Sequence, residues 1–308
     1  MSASDKPVVV GIDGCPGSVG ALHFAVTEAA RRHARLLVVH VVPLMVPAWT
    51  APATTVFPEL RATARALLRQ ALDTVRAVDP SVHAGTRLVH GSPAAGLVDN
   101  AEDAQLTVVG RETQHGLERV LFGATALAVA SRAASPVAVV PETWREDQHD
   151  GRIVVGLKDR TNAHELLGCA FDEARARGGS VRAVTAWNLA DPYLDSLEAR
   201  TQATAWEAEA TEVIAPLVSG WQSTYPDVPV DFEVKHGPAA SVLLTESKQS
   251  DLLIVSRRRH LLPPYGHLGV TAHRVLLLAQ TPVLVVPHTG STSLPEHVLW
   301  EETDAAPA

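Results

Sequence analysis

Cysteine is scarce in this sequence. The 308 residues include two, Cys15 and Cys169, and nothing in the sequence positions them as a pair. Small secreted proteins often rely on many disulfides, so this low count is typical of a reducing compartment. The N-terminal segment MSASDKP also lacks the apolar core of a secretory signal. We therefore expect a cytoplasmic protein.

Long hydrophobic runs and an excess of positive charge are also missing. The longest apolar candidate, LLVVHVVPLMVPAW, carries a histidine and two prolines, and it falls short of the roughly 18 apolar residues that a membrane helix needs. Lys and Arg number 26 against 34 Asp and Glu, which gives a formal net charge of -8. General nucleic-acid binding requires a basic face. We therefore predict neither a membrane nor a nucleic acid as a partner.

Catalytic signatures are missing as well. The sequence contains no Gly-x4-Gly-Lys-Ser/Thr loop and no Gly-x-Ser-x-Gly elbow, and the HELLG segment at His164 lacks the second histidine of a zinc protease. The 14 histidines show no close ligand spacing, so we expect no metal site. No base is visible beside Cys15 or Ser18. We predict no catalytic residue.

The two halves of the sequence repeat the same landmarks. PVVVGIDGCPGS matches RIVVGLKDRTNA, and ASPVAVVPE matches QTPVLVVPH. Gly156 follows Gly11 by 145 residues, and Gly269 follows Gly123 by 146. Landmarks at nearly one offset indicate a duplicated domain of about 145 residues.

Short apolar runs alternate with helical patterns inside each half. The runs of the first half are VVVGI, LLVVHVV, TRLVHG, LTVVG and VAVVP. They show little polar alternation, which is typical of strands buried on both faces of a parallel sheet. Strands that alternate with helices predict right-handed βαβ units. The predicted fold class is α/β, with two tandem flavodoxin-like domains, each a five-stranded parallel sheet sandwiched by helices.

Composition sets the domain limits. We predict domain 1 over residues 1–145, domain 2 over residues 146–290 and a flexible tail over residues 291–308, because the tail is polar and contains proline. The polar stretch at 141–151 is the predicted linker. A long helical pattern at about 194–224 predicts a longer second helix in domain 2.

A ligand site is expected where the strand order of such a sheet reverses, outside the carboxyl ends of the strands. In domain 1, Asp13 follows the first strand, Gly110 ends the fourth, and Gly123 opens the following helix. A helix N-terminus favours a phosphate, and a glycine allows close approach of the backbone. Asp13 can accept a hydrogen bond from a ribose hydroxyl. These residues predict a nucleotide site.

The same segments resemble the universal stress protein family in its tandem form. ATP-binding members of that family carry Gly-x2-Gly-x9-Gly-(Ser/Thr) after the fourth strand and an Asp at the end of the first. The resemblance covers about 7–142 and 152–288, where five segments match in order. It implies an adenine nucleotide alpha hydrolase-like fold and a role in stress, dormancy or hypoxia responses.

Domain 1 matches the family's loop in part. Gly110 and Gly123 match the first and third glycines, whereas Thr113 replaces the second and Ala124 replaces the Ser/Thr. Without compensation these two changes cost about 2.5–5 kcal/mol, so the resemblance implies a weak site. Val41 falls where the family's second strand offers its backbone to adenine. The implied nucleotide-binding residues are Gly11, Ile12, Asp13, Val41, Val109, Gly110, Thr113, Gly123, Ala124 and Thr125.

Domain 2 departs further from the family's loop. Lys158 stands where Asp13 stands in domain 1, and of the loop glycines only Gly269 remains. The segment SRRRH nevertheless places arginines beside the loop, and arginine matches phosphate geometry. Two readings stay open: a second anion site formed by Lys158, Arg257, Arg259 and Gly269, or a solvated basic loop facing an acidic partner domain.

Three functions follow from this reading. The first is a stress-response regulator that binds ATP, with Mg²⁺, or a related adenine nucleotide weakly in domain 1. The second is a nucleotide-independent scaffold with an unknown protein partner. The third, a slow ATPase, has the least support because no base and no pair of metal-binding carboxylates is visible. The apolar last strands, VAVVP and VLVVP, predict an intramolecular pseudo-dimer, since an exposed apolar edge strand needs pairing. A homodimer of whole chains stays open.

Overall fold

The computed structural model describes residues 6–43, 58–111, 124–145, 150–257 and 268–287. The strands within these residues are β1 Val8–Ile12, β2 Leu36–Val42, β3 Ala84–His90, β4 Leu106–Arg111, β5 Val137–Pro141, β6 Arg152–Leu157, β7 Ser180–Trp187, β8 Val230–His236, β9 Leu252–Ser256 and β10 Val283–Val286. The helices are α1 Pro16–Arg31, α2 Pro58–Val78, α3 Pro93–Asn100, α4 Ala124–Arg132, α5 Arg160–Arg177, α6 Pro192–Thr201, α7 Ala203–Thr224, α8 Ala239–Glu246 and α9 Val270–Leu278, and a short 3-10 helix spans Ser247–Gln249.

All the strands join one continuous sheet in the order β3-β2-β1-β4-β5-β10-β9-β6-β7-β8. Neighbours within each half are parallel. The halves meet through an antiparallel pair, β5 with β10, in which Val139 lies opposite Val283. The predicted fold class is confirmed, and the two edge strands pair within the chain as predicted.

Two apolar layers hold the helices against the sheet. One layer packs α1, α2, α5 and α7 on one face, and the other packs α3, α4, α8 and α9 on the opposite face. Central strands are buried on both faces, as β1 and β5 show by having no exposed residue. The outermost strands β3 and β8 are partly exposed. None of the helices in the described ranges is long and apolar enough to cross a membrane.

One local prediction was wrong. The single helix predicted at about 194–224 is divided into α6 and α7, with the break at Gln202, which has φ -128° and ψ 7°. Trp206 of α7 donates from Nε1 to Glu198 of α6 across this break at 3.1 Å. Neither glycine nor proline marks Gln202, so no sequence signal predicts this break. In the predicted linker, Trp144 is buried and packs edge-on against Phe24 at 5.3 Å.

A buried ion cluster joins the two domains on the α1 and α5 side of the sheet. Glu28 and Arg32 lie one turn apart on α1, and Glu173 and Arg177 repeat that pair 145 residues later on α5. Arg177 Nη2 contacts Glu28 Oε1 at 2.5 Å, and Arg32 forms the reciprocal ion pair with Glu173. Arg31 adds a contact to Glu28 at 2.8 Å. The cluster follows the two-fold symmetry of the duplication.

Opposite charges keep this cluster ionised in spite of its burial. Burial alone would raise the pKa of Glu173, but Arg177 and Arg32 outweigh it and lower that pKa below its ordinary value. The carboxylates in turn raise the pKa of Arg32 and of Arg177 against the effect of their burial. Breaking a buried pair from one side leaves an uncompensated charge, which costs more than the pair contributes when intact.

Glu28→Ala should therefore destabilise the protein by about 3–5 kcal/mol, because it removes a carboxylate shared by three arginines and leaves Arg32 and Arg177 with Glu173 as the remaining carboxylate of the cluster. The matched control is Asp73→Ala, which removes a carboxylate from an exposed pair with Arg76 and should change stability by about 0.5 kcal/mol or less. Urea unfolding of both variants measures the difference. Equal small effects would show that the cluster does not hold the domains together.

Acid should weaken the same contact. The pKa of Glu173 in the folded protein lies below its ordinary value of 4.5. Its contribution to the free energy of unfolding is therefore complete above pH 4.5 and is lost as the pH falls through the lower folded pKa. Glu173→Gln should lower stability at pH 7 and flatten the loss of stability below pH 4.5. Urea midpoints of both proteins across pH 7 to 3 test this, and parallel curves would contradict it.

Candidate functional site

A cavity of about 390 Å³ opens at the carboxyl ends of the domain 2 strands. It lies where the strand order reverses between β6 and β9, the position at which ligands bind in open α/β sheets. Four segments surround it: the end of β6 with the start of α5, the end of β7, the end of β9, and the first turn of α9. Residues of α8 add to one wall.

The cavity has an apolar part. It is formed by strand ends and by α8, through Leu157, Val184, Ala186, Ala239, Leu243 and Val255. Gly156 leaves room for the Leu243 side chain of α8, since a Cβ there would lie 2.8 Å from Leu243 Cδ1. A flat apolar group would bind favourably to such a surface, because binding removes apolar area of the ligand and of the cavity wall from water.

The lining of the cavity also includes polar and positively charged groups. Gly269 precedes α9, and Val270, Thr271 and Ala272 of its first turn all line the cavity. The first N–H groups of a helix have no intrahelical partner and favour an anion. Lys158 is exposed and lines the same cavity. The arrangement therefore suits a ligand with an apolar end and an anionic end.

The turn between β6 and α5 contains a carboxylate, Asp159, that matching the two halves of the sequence did not identify. Asp159 accepts a hydrogen bond from Thr161 N at 2.9 Å, and in domain 1 Asp13 accepts one from Cys15 N at 2.9 Å. The two aspartates form the same local turn, but Asp159 follows Asp13 by 146 residues. The offset of 145 residues between the first strands therefore placed Lys158, and not Asp159, opposite Asp13. The Asp-x-Thr pattern of a helix start could have revealed Asp159.

The residues predicted as a second anion site mostly come together. Lys158, Arg257 and Gly269 all line the domain 2 cavity, whereas Arg259 lies outside the described residues. Arg257 also donates from Nη1 to the carbonyl oxygen of Ala133 in domain 1 at 2.9 Å. Burial lowers the pKa of its guanidinium, so an anionic partner would be favourable there.

The structure also locates most of the predicted nucleotide-binding residues of domain 1. Gly11, Ile12 and Asp13 lie at the end of β1, between Val41 of β2 and Val109 and Gly110 of β4. Ala124 and Thr125 begin α4 and are exposed. Thr113 and Gly123 lie outside the described residues.

Comparison with known proteins identifies the chain's relatives. The universal stress protein family model matches residues 6–141 and again 151–287. A universal stress protein from Mycolicibacterium smegmatis is 31% identical over 93% of this chain and 98% of its own length. The chain belongs to the universal stress protein family. The resemblance drawn from its sequence is thereby confirmed.

A solved structure of the family agrees with the fold of this chain. A universal stress protein from Archaeoglobus fulgidus superposes with a TM-score of 0.67 at 14% identity, covering 92% of this chain and 97% of its own. A universal stress protein solved in complex with cAMP is 27% identical over 45% of this chain and 98% of its own, with a TM-score of 0.35.

In this universal stress protein the first loop glycine of domain 1 has a packing role of its own. A Cβ at Gly110 would lie 2.2 Å from the carbonyl oxygen of Gly17, in the first turn of α1. Gly110 therefore lets α1 approach the end of β4, whether or not a phosphate binds. The glycine alone is not evidence for a working nucleotide loop.

The described residues include no cluster of metal-ligating side chains. Among them, no three His, Cys, Asp or Glu side chains come together as a metal site. Asp13 follows the first strand of domain 1, and Asp159 follows the first strand of domain 2. Each carboxylate accepts a hydrogen bond from a backbone N–H group.

Gly110→Ala should destabilise the protein by about 1–3 kcal/mol in the absence of any nucleotide, because α1 must move away from β4. Gly85→Ala is the matched control, since a Cβ there meets nothing within 4 Å and should be neutral or slightly stabilising. Urea unfolding without ligand compares them. Equal stability of the two variants would exclude the packing role.

Proposed function

We propose that this universal stress protein is a stress-response regulator that binds an adenine nucleotide, and that its principal site is the domain 2 crevice. The observation that carries the proposal is the cavity of about 390 Å³ at the strand reversal. Its volume falls in the range of about 300–1,000 Å³ that small-ligand sites occupy. Domain 1 keeps the weaker site that the family resemblance implies.

Two features of the cavity favour a nucleotide over a simple anion. The apolar surface of Leu157, Val184 and Leu243 can hold a flat base, whereas a free phosphate would leave it unused. The first turn of α9 and Lys158 can hold the phosphate end at the same time. A ligand with both parts satisfies both surfaces.

The two domains differ in the charge that they offer to phosphates. Domain 1 presents Asp13 at the end of β1, which can hold Mg²⁺ through water, whereas domain 2 presents Lys158 followed by Asp159. A lysine supplies positive charge directly. We therefore propose that binding in domain 2 does not require Mg²⁺, while binding in domain 1 does.

A nucleotide-independent scaffold is the second candidate, and the packing of Gly110 against Gly17 favours it for domain 1. That contact explains one motif residue without a ligand. A homodimer and a cytoplasmic location remain predictions. A second chain would have to use a surface other than β5 and β10, which already pair with each other inside the sheet.

Calorimetric titration of AMP and ATP, with and without Mg²⁺, tests the assignment. We expect about one site per chain, weakened about tenfold by Lys158→Ala because one charge-assisted contact is removed. Lys248→Ala removes another exposed lysine, one that lies on the amino side of the domain 2 strands, and should bind like the unaltered protein.

Asp13→Ala distinguishes the two domains in the same titration. Binding that persists in Asp13→Ala and weakens in Lys158→Ala supports the domain 2 site. The reverse pattern would move the principal site to domain 1. No heat with either nucleotide at millimolar concentration would overturn nucleotide binding and favour the scaffold.

A further inference from the structure

Two arginines cross the boundary between the domains at equivalent positions. Arg111 ends β4, and Arg257 follows β9, 146 residues later. Arg111 donates from Nη1 to Leu277 O at 2.6 Å and from Nη2 to Ala279 O. Arg257 donates from Nη1 to Ala133 O at 2.9 Å. Each arginine thus binds a carbonyl at the end of the other domain's last helix.

The acceptors repeat the symmetry of the donors. Ala279 follows Ala133 by 146 residues, and they lie just beyond α9 and α4. The last carbonyls of a helix carry partial negative charge, so a guanidinium stabilises them. This accounts for both arginines as contacts between domains, without reference to a ligand.

Each bridged helix also begins at a candidate site. The first turn of α9 lines the domain 2 cavity, and its end is held by Arg111 of domain 1. The first residues of α4, Ala124 and Thr125, lie at the predicted domain 1 site, and the end of α4 is held by Arg257. The domain 2 cavity and the predicted domain 1 site are therefore joined twice, through one helix in each direction.

Arg257 differs from Arg111 in lying on a cavity wall. Arg111 is 8% exposed and is bound to two carbonyls, whereas Arg257 is only partly buried and lines the domain 2 cavity. A guanidinium carries five N–H donors in a planar fork. A phosphate in the cavity is a stronger acceptor than the neutral carbonyl of Ala133, so the two would compete for the Arg257 guanidinium.

We infer that Arg257 couples the domain 2 crevice to domain 1, because an anion bound in that crevice draws its guanidinium away from Ala133 at the end of α4. The inference rests on the proposed nucleotide site of domain 2. Loss of the bond frees the end of α4, whose start lies at the domain 1 site. Since coupling free energies are reciprocal, a ligand in domain 1 changes the affinity of the domain 2 crevice by the same factor.

Nuclear magnetic resonance of the full chain titrated with AMP tests this. In the unaltered protein we expect shifts of the Gly269 and Thr271 amides, which report the cavity, together with the Ala133 carbonyl carbon and the Ala134 amide in domain 1. In Arg257→Gln the cavity signals should still respond, with affinity lower by roughly ten- to a hundredfold. The response at Ala133 and Ala134 should be lost.

Arg274→Gln is the control, because it removes an exposed arginine from α9 itself and should leave both responses intact. Arg257→Lys serves as a second variant if the glutamine variant does not fold, and it should also lose the Ala133 response, since a lysine lacks the planar fork.

Two results would overturn the inference and leave the proposed site standing. One is a cavity response in the unaltered protein with no change at Ala133, and the other is an Ala133 response that persists in both Arg257 variants. No response at Gly269 or Thr271 would overturn the proposed site itself, and the coupling with it.

Discussion

The antiparallel pairing of β5 with β10 is the contact on which the rest of this structure depends. All five residues of β5 are buried, and Val137 and Val139 lie opposite Val285 and Val283. Either domain alone would present this apolar edge to water or to another chain. Pairing within one chain removes both edges together and sets the two domains about an approximate two-fold axis, so each later contact between them occurs twice.

The symmetric contacts lie on both faces of this central pair. On one face, the helices α1 and α5 bring Glu28 and Glu173 between arginines of both domains. On the other, Arg111 and Arg257 reach the ends of α9 and α4. These polar contacts depend on the strand pairing, because it places equivalent residues of the two domains on opposite sides of the axis. A duplicated sequence therefore supplies both partners of each contact from the same ancestral positions.

The sequence predicted the parts of the molecule that depend on local pattern. Valine-rich runs gave the strands, the offset of about 145 residues gave the duplication, and the apolar last strands gave their pairing. The ion cluster was not predicted, because Glu28 with Arg32 reads as an ordinary surface pair one helical turn apart. Its repetition at Glu173 and Arg177 is visible in the sequence, but its burial arises only once the domains meet.

The candidate site likewise has features that the local sequence predicts and features that depend on the folded structure. Motif matching favoured domain 1 because it keeps Gly110 and Gly123, yet Gly110 is also required by the approach of α1. In domain 2 most motif residues have changed, but the cavity persists, because it depends on strand ends, on α8 and on the first turn of α9. Loop sequence alone therefore does not predict in which half the cavity lies.

The polar contacts between the domains also select one register for the pairing of β5 with β10. VAVVP and VLVV are so similar along their length that a shift of their pairing by two residues would keep every valine on its own face of the sheet. Such a shift would move the domains by roughly 7 Å along the strands. That displacement would separate Arg177 from Glu28 on one face and Arg257 from Ala133 on the other, and it would leave each buried glutamate with arginines of its own domain alone. The apolar edge drives the two domains together, and the buried charges determine the register in which they meet.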